Sequence, residues 1–219
     1  MSNAAGRATR ERLILTAERL FALHGIESVP LRDVSIAAGQ RNVAATNYYF
    51  NDRDGLVRAI FDYRLEEVER QQVELTAEAT ATTKPGEQAR ARALVKAYAA
   101  PLARQLEEGY FIPFIARIQL DLGRGDQFVA ATRMRAVDHI WSLLRDEFPG
   151  LPPAVFDRRM NALILLGVHY LATVQHVGNT AELSVDELID ILIGILEAKA
   201  TVTRRRRGRS VTGNKRPTP

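Results

Sequence analysis

Cysteine is missing from this chain of 219 residues, and its absence excludes several kinds of chemistry. Without thiols there is no disulfide, no cysteine nucleophile, no thiol redox sensor and no cysteine-ligated zinc. Long apolar runs are missing as well. The longest strictly apolar run lies near Ala162 to Leu166, whereas a membrane-spanning helix needs about 20 apolar residues. The N-terminus has no apolar leader segment, so we expect a cytoplasmic protein with no membrane partner.

The sequence also lacks the signatures of common enzymes. It contains no Gly-rich phosphate loop, no Gly-x-Ser-x-Gly and no His-Glu-x-x-His, and its four histidines are scattered. His169 and His176 lie two turns apart on one predicted helix, roughly 10 Å along its axis, which is too far to share one ion. We therefore expect no catalytic residues, no metal site and no cofactor. A helical small-molecule enzyme stays as an alternative that measured turnover would reveal.

Positive charge is local in this chain. The formal net charge is +4, from 30 basic and 26 acidic residues, but residues 204–219 contain seven basic residues and no acidic one. The rest of the chain, with 23 basic and 26 acidic residues, is therefore near −3. A local basic surface is enough to attract phosphate. The second basic group lies around the N-terminal part of the chain and comprises Arg7, Arg10, Arg12, Arg41, Arg53 and Arg58.

Apolar residues recur with helical spacing along most of the chain, and no alternating strand pattern of useful length is present. This periodicity predicts an all-α protein of about nine helices. The first four helices are expected at 7–24, 31–38, 43–49 and from Asp52 to beyond Arg70. The later ones are expected at 87–106, 113–122, 126–147, 154–176 and 184–199. The tail, residues 204–219, is polar and basic, which is typical of disorder.

Residues 31–50 carry the most information about function. They predict a short helix, a turn at Gly39 and a second short helix that ends in aromatic residues, which is the pattern of a DNA-reading helix-turn-helix. Arg41 suits guanine or phosphate, and Thr46 and Asn47 suit base edges. Asn42 fits a helix N-cap as well as a base contact. From this stretch the candidate DNA-binding residues are Arg41, Asn42, Ala45, Thr46, Asn47, Tyr48 and Tyr49.

Residues 10–63 resemble the DNA-binding domain of the tetracycline-repressor (TetR) family of bacterial regulators. The resemblance rests on Ile14-Leu-Thr-Ala17, Leu20-Phe-Ala-Leu-His-Gly25, Leu31-Arg-Asp-Val34, Ala37-Ala-Gly39, Asn47-Tyr-Tyr-Phe50 and Asp52-Arg-Asp-Gly-Leu56. It implies that the aromatic motif contacts the DNA backbone and that Arg53 binds phosphate, where the family commonly has lysine. Two departures are Pro30, in place of a capping Ser or Thr, and a turn that is one residue longer than in most members.

The resemblance implies three segments: a helix-turn-helix domain at 7–52, a helical ligand-binding and dimerisation domain at 53–203, and the basic tail at 204–219. The last two helices are apolar enough to pack against a symmetry mate in a four-helix interface. The candidate interface residues are Leu163, Leu166, Tyr170, Leu188, Ile191, Leu192 and Ile195. A pocket for a small hydrophobic molecule is also expected, although the same residues fit a plain core: Tyr98, Tyr110, Phe114, Ile118, Trp141, Met160 and His169.

The function that follows is a sequence-specific regulator, expected to be a repressor that a small molecule releases from a pseudo-palindromic operator in double-stranded DNA. A non-specific or architectural nucleic-acid binder that uses the basic tail is the main alternative. A further alternative is a regulator that is controlled by a protein partner instead of a small molecule. Deleting residues 204–219 separates the first two, because only the architectural binder depends on the tail.

Overall fold

The computed structural model describes residues 4–120, 135–178 and 184–199, and within these ranges it contains nine helices and no strand. The predicted all-α fold is confirmed. The helices are α1 (Ala4–His24), α2 (Leu31–Ala37), α3 (Ala45–Phe50), α4 (Arg53–Thr82), α5 (Gln88–Arg104), α6 (Phe111–Leu120), α7 (Arg135–Glu147), α8 (Pro153–Val177) and α9 (Val185–Glu197). The part of the 126–147 helix before residue 135 and the expected disordered tail lie outside the described residues.

Local sequence signals explain where several helices end. Gly25 and Gly86 have positive φ values of 89° and 84°, which glycine adopts without strain, and they follow α1 and α4. Gly178 at φ 75° closes α8 with a left-handed residue. Ser184 begins α9, because its side chain accepts a hydrogen bond from the Glu187 amide at 3.2 Å.

The first three helices form an N-terminal unit, residues 4–50, which we call the head, and its core continues into two later helices. Leu13, Ile14 and Phe21 of α1 are fully buried with Leu56 and Ile60 of α4. Three buried residues of α6 complete this core: Phe111, Phe114 and Ile118. The ring centroids of Phe61 and Phe114 are 5.4 Å apart. The apolar packing therefore runs without a break from the head across the start of α4 to α6.

A second apolar core lies between the remaining helices. It is built by α4, α5, α7, α8 and α9, with Leu94, Leu163 and Leu192 among its fully buried residues. Gly167 of α8 faces Tyr98 and Leu192 in this core, where a Cβ would make ordinary contact at 3.7 Å. This second half connects to the head through α4 and α6.

Candidate DNA-reading surface

The turn between α2 and α3 is fixed by backbone and side-chain hydrogen bonds. Gly39 has φ 70°, and the Gln40 amide donates to the Ser35 carbonyl at 3.0 Å. The Asn42 side chain accepts from the Ala44 amide at 3.0 Å, and the Asn42 carbonyl accepts from the Ala45 amide at 3.0 Å. Asn42 thus closes the turn, and α3 begins at Ala45, two residues later than the sequence suggested.

A buried hydroxyl pair holds the two helices of the motif together. The Ser35 and Thr46 hydroxyls lie 2.7 Å apart, and the Thr46 amide donates to the Ser35 hydroxyl at 3.1 Å. Both residues are fully buried. The expectation that Thr46 reads base edges is therefore wrong in this structure, because its hydroxyl is enclosed between α2 and α3. Ala45 is also buried, so its methyl group is not presented to DNA either.

One face of α3 and the turn before it is exposed, and we call it the reading face: Val43, Ala44, Asn47 and Tyr48. Val43 is 53% exposed and Tyr48 is 82% exposed. Arg41 is exposed beside this face. Sequence reasoning included Asn47, Tyr48 and Arg41 but missed Val43. Helical spacing could have identified Val43. Residues 43 and 47, and likewise 44 and 48, are four apart and therefore lie on the same face of a helix.

The aromatic residues at the end of α3 divide between surface and core. Tyr48 points outward, Tyr49 is half-buried against the head core, and Phe50 is buried. The Tyr48 and Tyr49 rings meet edge to face at 5.2 Å. Arg10 of α1 lies over the Phe50 ring, with its guanidinium carbon 5.3 Å from the ring centroid. Tyr48 therefore has a free hydroxyl end for a phosphate, and Tyr49 has less freedom.

The start of α4 is built around Asp52 and Gly55. The Asp52 carboxylate accepts from the Gly55 amide at 2.7 Å, and this hydrogen bond lowers the pKa of Asp52 below its ordinary value. A Cβ on Gly55 would lie 2.0 Å from the Phe50 carbonyl oxygen, so only glycine fits. Asn51 takes φ 68° to connect α3 to α4. The geometry of the connection from α3 to α4 is thus fixed by residues 50–55.

Arg53 is used inside the head. Its Nη1 donates to the carbonyls of Ile26 and Val29, the latter at 2.8 Å, and its Nε lies 3.8 Å from Glu27. Its side chain is 23% exposed. The expected phosphate contact is therefore not available in this arrangement, because the guanidinium ties the α1–α2 loop to α4. A lysine at this position could make only part of these contacts.

Among the described residues, the predicted pocket residues are divided between the two apolar cores and the surface. Phe114 and Ile118 are fully enclosed in the core of the head, and Tyr110 is 37% exposed at the start of α6. Tyr98, Met160 and Trp141 belong to the core of the second half, and burial raises the pKa of Tyr98. His169 is half-buried on α8. Within the described ranges these residues lie in different parts of the fold, because α6 packs its aromatic face on the head, and a pocket that they share stays a prediction.

An open groove instead lies between α4 and α7. Its volume is about 700 Å³, and none of the seven predicted pocket residues lines it. The wall from α4 includes Glu66, Glu69, Val73 and Thr76, and the wall from α7 includes His139. The Ala136 amide donates to the Glu69 carboxylate at 3.3 Å where the two walls meet.

The candidate interface residues fall into two groups. Leu163, Leu188 and Leu192 are at most 1% exposed in a single chain, so they have no surface left for a second copy. They belong to the core, because α8 and α9 pack against each other and against α5. Leu166 and Ile191 are each 40% exposed, and Tyr170 and Ile195 are half-buried. Leu165, 45% exposed, was missed.

Helix α8 is the one helix within the described ranges that is long and apolar enough to cross a membrane, with a mean hydropathy of 1.2. Only 28% of its most apolar window is buried within the chain. It packs against α6 and α9. A helix in a protein core or interface can be as long and as apolar as a membrane-spanning helix, so these two properties do not identify a membrane span. No group of three or more potential metal ligands is found among the described residues.

No protein-family model matches the sequence, and no curated protein matches it. The structure does match a TetR-like transcriptional regulator from Rhodococcus sp. RHA1, with a TM-score of 0.58 and 15% sequence identity. The match covers 86% of this chain and 93% of the other. The fold that the sequence resemblance implied is therefore confirmed: this chain has the TetR-like, all-helical architecture over most of its length.

Proposed function

We propose that the protein is a transcriptional regulator that binds specific DNA sequences through the reading face. The observation that carries the proposal is the face itself, an exposed set of one amide, one phenol and two small apolar side chains on a rigid helix-turn-helix. Asn47 is suited to the N6 and N7 atoms of adenine, and Val43 and Ala44 are suited to the methyl group of thymine. Tyr48 on the same face and Arg41 beside it, both exposed, are suited to guanine or phosphate.

The test is a salt series of equilibrium binding to the DNA that flanks the protein's own gene, with scrambled DNA as control. A specific regulator binds one segment tightly and loses less affinity for it than for scrambled DNA as salt rises, because base contacts add to phosphate neutralisation. The matched control ends the chain at residue 203. If that truncation abolishes binding, the architectural alternative is correct. If both DNAs bind alike, either the operator lies elsewhere or the tail dominates, and the truncation separates these two.

We further propose a homodimer that brings two heads to a pseudo-palindromic site. The support is the apolar exposure on α8 and α9, where Leu165, Leu166 and Ile191 are each at least 40% exposed. Exposed apolar side chains grouped on one face indicate an interaction surface. Leu166→Glu is expected to turn a dimer into a monomer in sedimentation analysis, and Leu23→Glu, a change at a 50% exposed site on α1, is the control. Equal masses for both variants would contradict the dimer face.

A small molecule is the effector that we propose, with repression as the mode of action and the cytoplasm as the location. The support is the groove on α4, the helix that runs from the head into the second half. A ligand there changes operator affinity only by its preference for one arrangement of α4 over another. A ligand that binds in the groove and leaves operator affinity unchanged would contradict this assignment. Turnover of a bound small molecule would instead favour the enzyme alternative.

A further inference from the structure

The loop between α5 and α6, residues 105–110, is held by side chains from three other helices, and we call it the latch loop. Glu18 of α1 accepts a hydrogen bond from the Tyr110 amide at 2.8 Å. Arg64 of α4 donates to the Glu108 carbonyl at 3.0 Å. Gln175 of α8 donates to the carbonyls of Leu106 at 3.0 Å and Gly109 at 2.6 Å. Four of the six loop residues thus bond to the head, to α4 or to α8.

The contacts on the head side are centred on a buried ion pair. Arg64 Nε lies 2.7 Å from Glu18 Oε2, and Arg64 Nη2 lies 3.0 Å from Glu18 Oε1. The two side chains are 7% and 2% exposed. A bidentate pair of this kind has one favoured geometry, so α1 and α4 are held at a defined orientation. The arginine pKa is raised through the hydrogen bond and charge of Glu18, against the effect of burial.

Gly109 brings the latch loop into contact with that pair. A Cβ on Gly109 would lie 2.6 Å from Arg64 Nη2 and 2.9 Å from Glu18 Oε1, and its φ of +150° is rare for other residues. The loop backbone therefore packs directly on the guanidinium and the carboxylate. A movement of the loop cannot leave the ion pair unchanged.

Gln175 connects this assembly to α8. Its Nε2 holds two loop carbonyls, but its Oε1 is buried without a hydrogen-bond partner among the described residues, and the same holds for Gln105 Oε1. A buried acceptor without a donor is unfavourable. A second arrangement, in which the loop or α8 is shifted and these two oxygens gain donors, is therefore close in free energy to the present arrangement.

We propose that Gln175 is a positioning residue, which couples the position of α8 to the orientation of the head through the latch loop. When α8 shifts, the Gln175 side-chain amide moves and displaces the Leu106 and Gly109 carbonyls that are bonded to it. The bonds of Glu108 and Tyr110 in the same loop then change the positions of Arg64 and Glu18. The consequence for DNA binding rests on the proposed function, whereas the consequence for head orientation does not.

The absence of cysteine allows a direct test of head orientation. The double variant Arg12→Cys/Lys96→Cys carries one spin label on α1 and one on α5, at exposed positions. Diluting it with unlabelled protein restricts the measured distances to one chain. The labelled double variant that keeps Gln175 is expected to give one narrow distribution of distances between the two labels by pulsed electron resonance. Gln175→Met keeps the side-chain length and loses both donated hydrogen bonds, so the distribution is expected to widen at least twofold.

Two further variants make the result decisive. Gln175→Lys keeps an N–H donor at similar reach and is expected to restore most of the narrow distribution. Gln88→Met is the matched control, because the Gln88 amide contacts Glu197 at 3.5 Å, away from the loop, and the distribution should stay unchanged. Equal widths for Gln175 and Gln175→Met, with intact helicity, would overturn the inference, and so would a lysine variant as broad as the methionine variant.

DNA binding by the same unlabelled variants provides an independent readout. Gln175→Met is expected to bind its selected DNA about tenfold more weakly at fixed salt, while Gln88→Met binds as the unmodified chain does. Unchanged affinity in Gln175→Met together with an unchanged distance distribution would remove the coupling role. If the unmodified chain prefers no sequence, the proposed function fails, and the distance measurement still decides the inference.

Discussion

One buried ion pair involves the first half of α4 and a second lies beyond its C-terminal end, and the geometry of the two pairs differs. Arg64 and Glu18 join α4 to α1 through two hydrogen bonds. Arg90 and Glu147 join α5 to α7, with Arg90 Nε 3.0 Å from Glu147 Oε1 but no hydrogen-bond geometry between those two atoms. The second pair is supported by loop contacts, since Arg90 donates to the Thr83 carbonyl at 2.9 Å and Glu147 accepts from the Gly86 amide at 2.8 Å.

The comparison teaches where a buried charge pair can affect function. The pair at Arg90 connects elements of the second half only, so its loss should reduce stability around α5 and α7 and leave the orientation of the head unchanged. The pair at Arg64 lies between the head and the second half, and the latch loop packs on it. Burial is similar in both cases, and the difference lies in which elements each pair joins.

The largest expected effect comes from Arg64→Met. This change leaves the Glu18 carboxylate buried without its cation, which typically costs about 3–5 kcal/mol of unfolding free energy. Arg90→Met should cost less, because Arg64 donates two hydrogen bonds to Glu18 whereas Arg90 Nε makes no hydrogen bond to Glu147. Urea unfolding measures both losses, and hydrogen exchange shows whether α1 loses protection only in the first variant. A greater loss in Arg90→Met would contradict the comparison.

Gly109→Ala is expected to come next. The new methyl group would press on the ion pair, and the φ of +150° is strained for alanine, so about 2–3 kcal/mol of stability should be lost. Gly150→Ala is the control, since no heavy atom lies within 4 Å of a Cβ there. Thermal unfolding compares the two. If Gly109→Ala had the same melting temperature as Gly150→Ala, the latch loop would not pack on the ion pair.

Thr46→Ala tests the hydroxyl pair within the head. Its loss leaves the Ser35 hydroxyl buried without that partner, and about 1–2 kcal/mol of stability should be lost. Thr82→Ala near the end of α4 is the control, because Thr82 is exposed and bonds only to the Glu78 carbonyl of its own helix. Denaturant unfolding measures both. If Thr46→Ala changed base preference without loss of stability, our assignment of Thr46 to the interior would be wrong.

The smallest expected effect concerns the Asp52 cap. Its pKa is lowered chiefly by the Gly55 amide, so the carboxylate stabilises the fold above the pKa that Asp has in the unfolded chain. This stabilisation is lost as the pH falls through the lower pKa of the folded protein. Asp52→Asn keeps an acceptor oxygen without the titration. The difference in melting temperature between the two proteins should therefore shrink from pH 7 to pH 3, and a constant difference would contradict the assignment.

Helical periodicity and caps were sufficient to predict an all-α protein, whereas the arrangement of its helices was implied by the family resemblance. Gly25 and Ser184 each act on the backbone within a few residues, so the end of α1 and the start of α9 could be predicted from the sequence. The end of α4 at Thr82 was less clear, because the 77–83 segment lacks an apolar stripe.

The functional surfaces were harder to predict, because burial depends on contacts distant in the sequence. Thr46 is polar and sits in the reading helix, and only its packing on Ser35 shows that it faces inward. Phe114 and Ile118 have the composition of a pocket, but α6 turns them toward α1. Leu163, Leu188 and Leu192 are apolar at interface spacing, and their burial within one chain could not be separated from burial by a partner.

The most direct test of the central claim is the affinity of the protein and of Asn47→Ala for every single-base variant of a selected DNA site. We predict that Asn47→Ala keeps the fold and loses discrimination at one adenine of each half-site, by about 1–3 kcal/mol, while preferences elsewhere persist. An Asn47→Ala variant with the same base preferences at every position would contradict the assignment of the reading face.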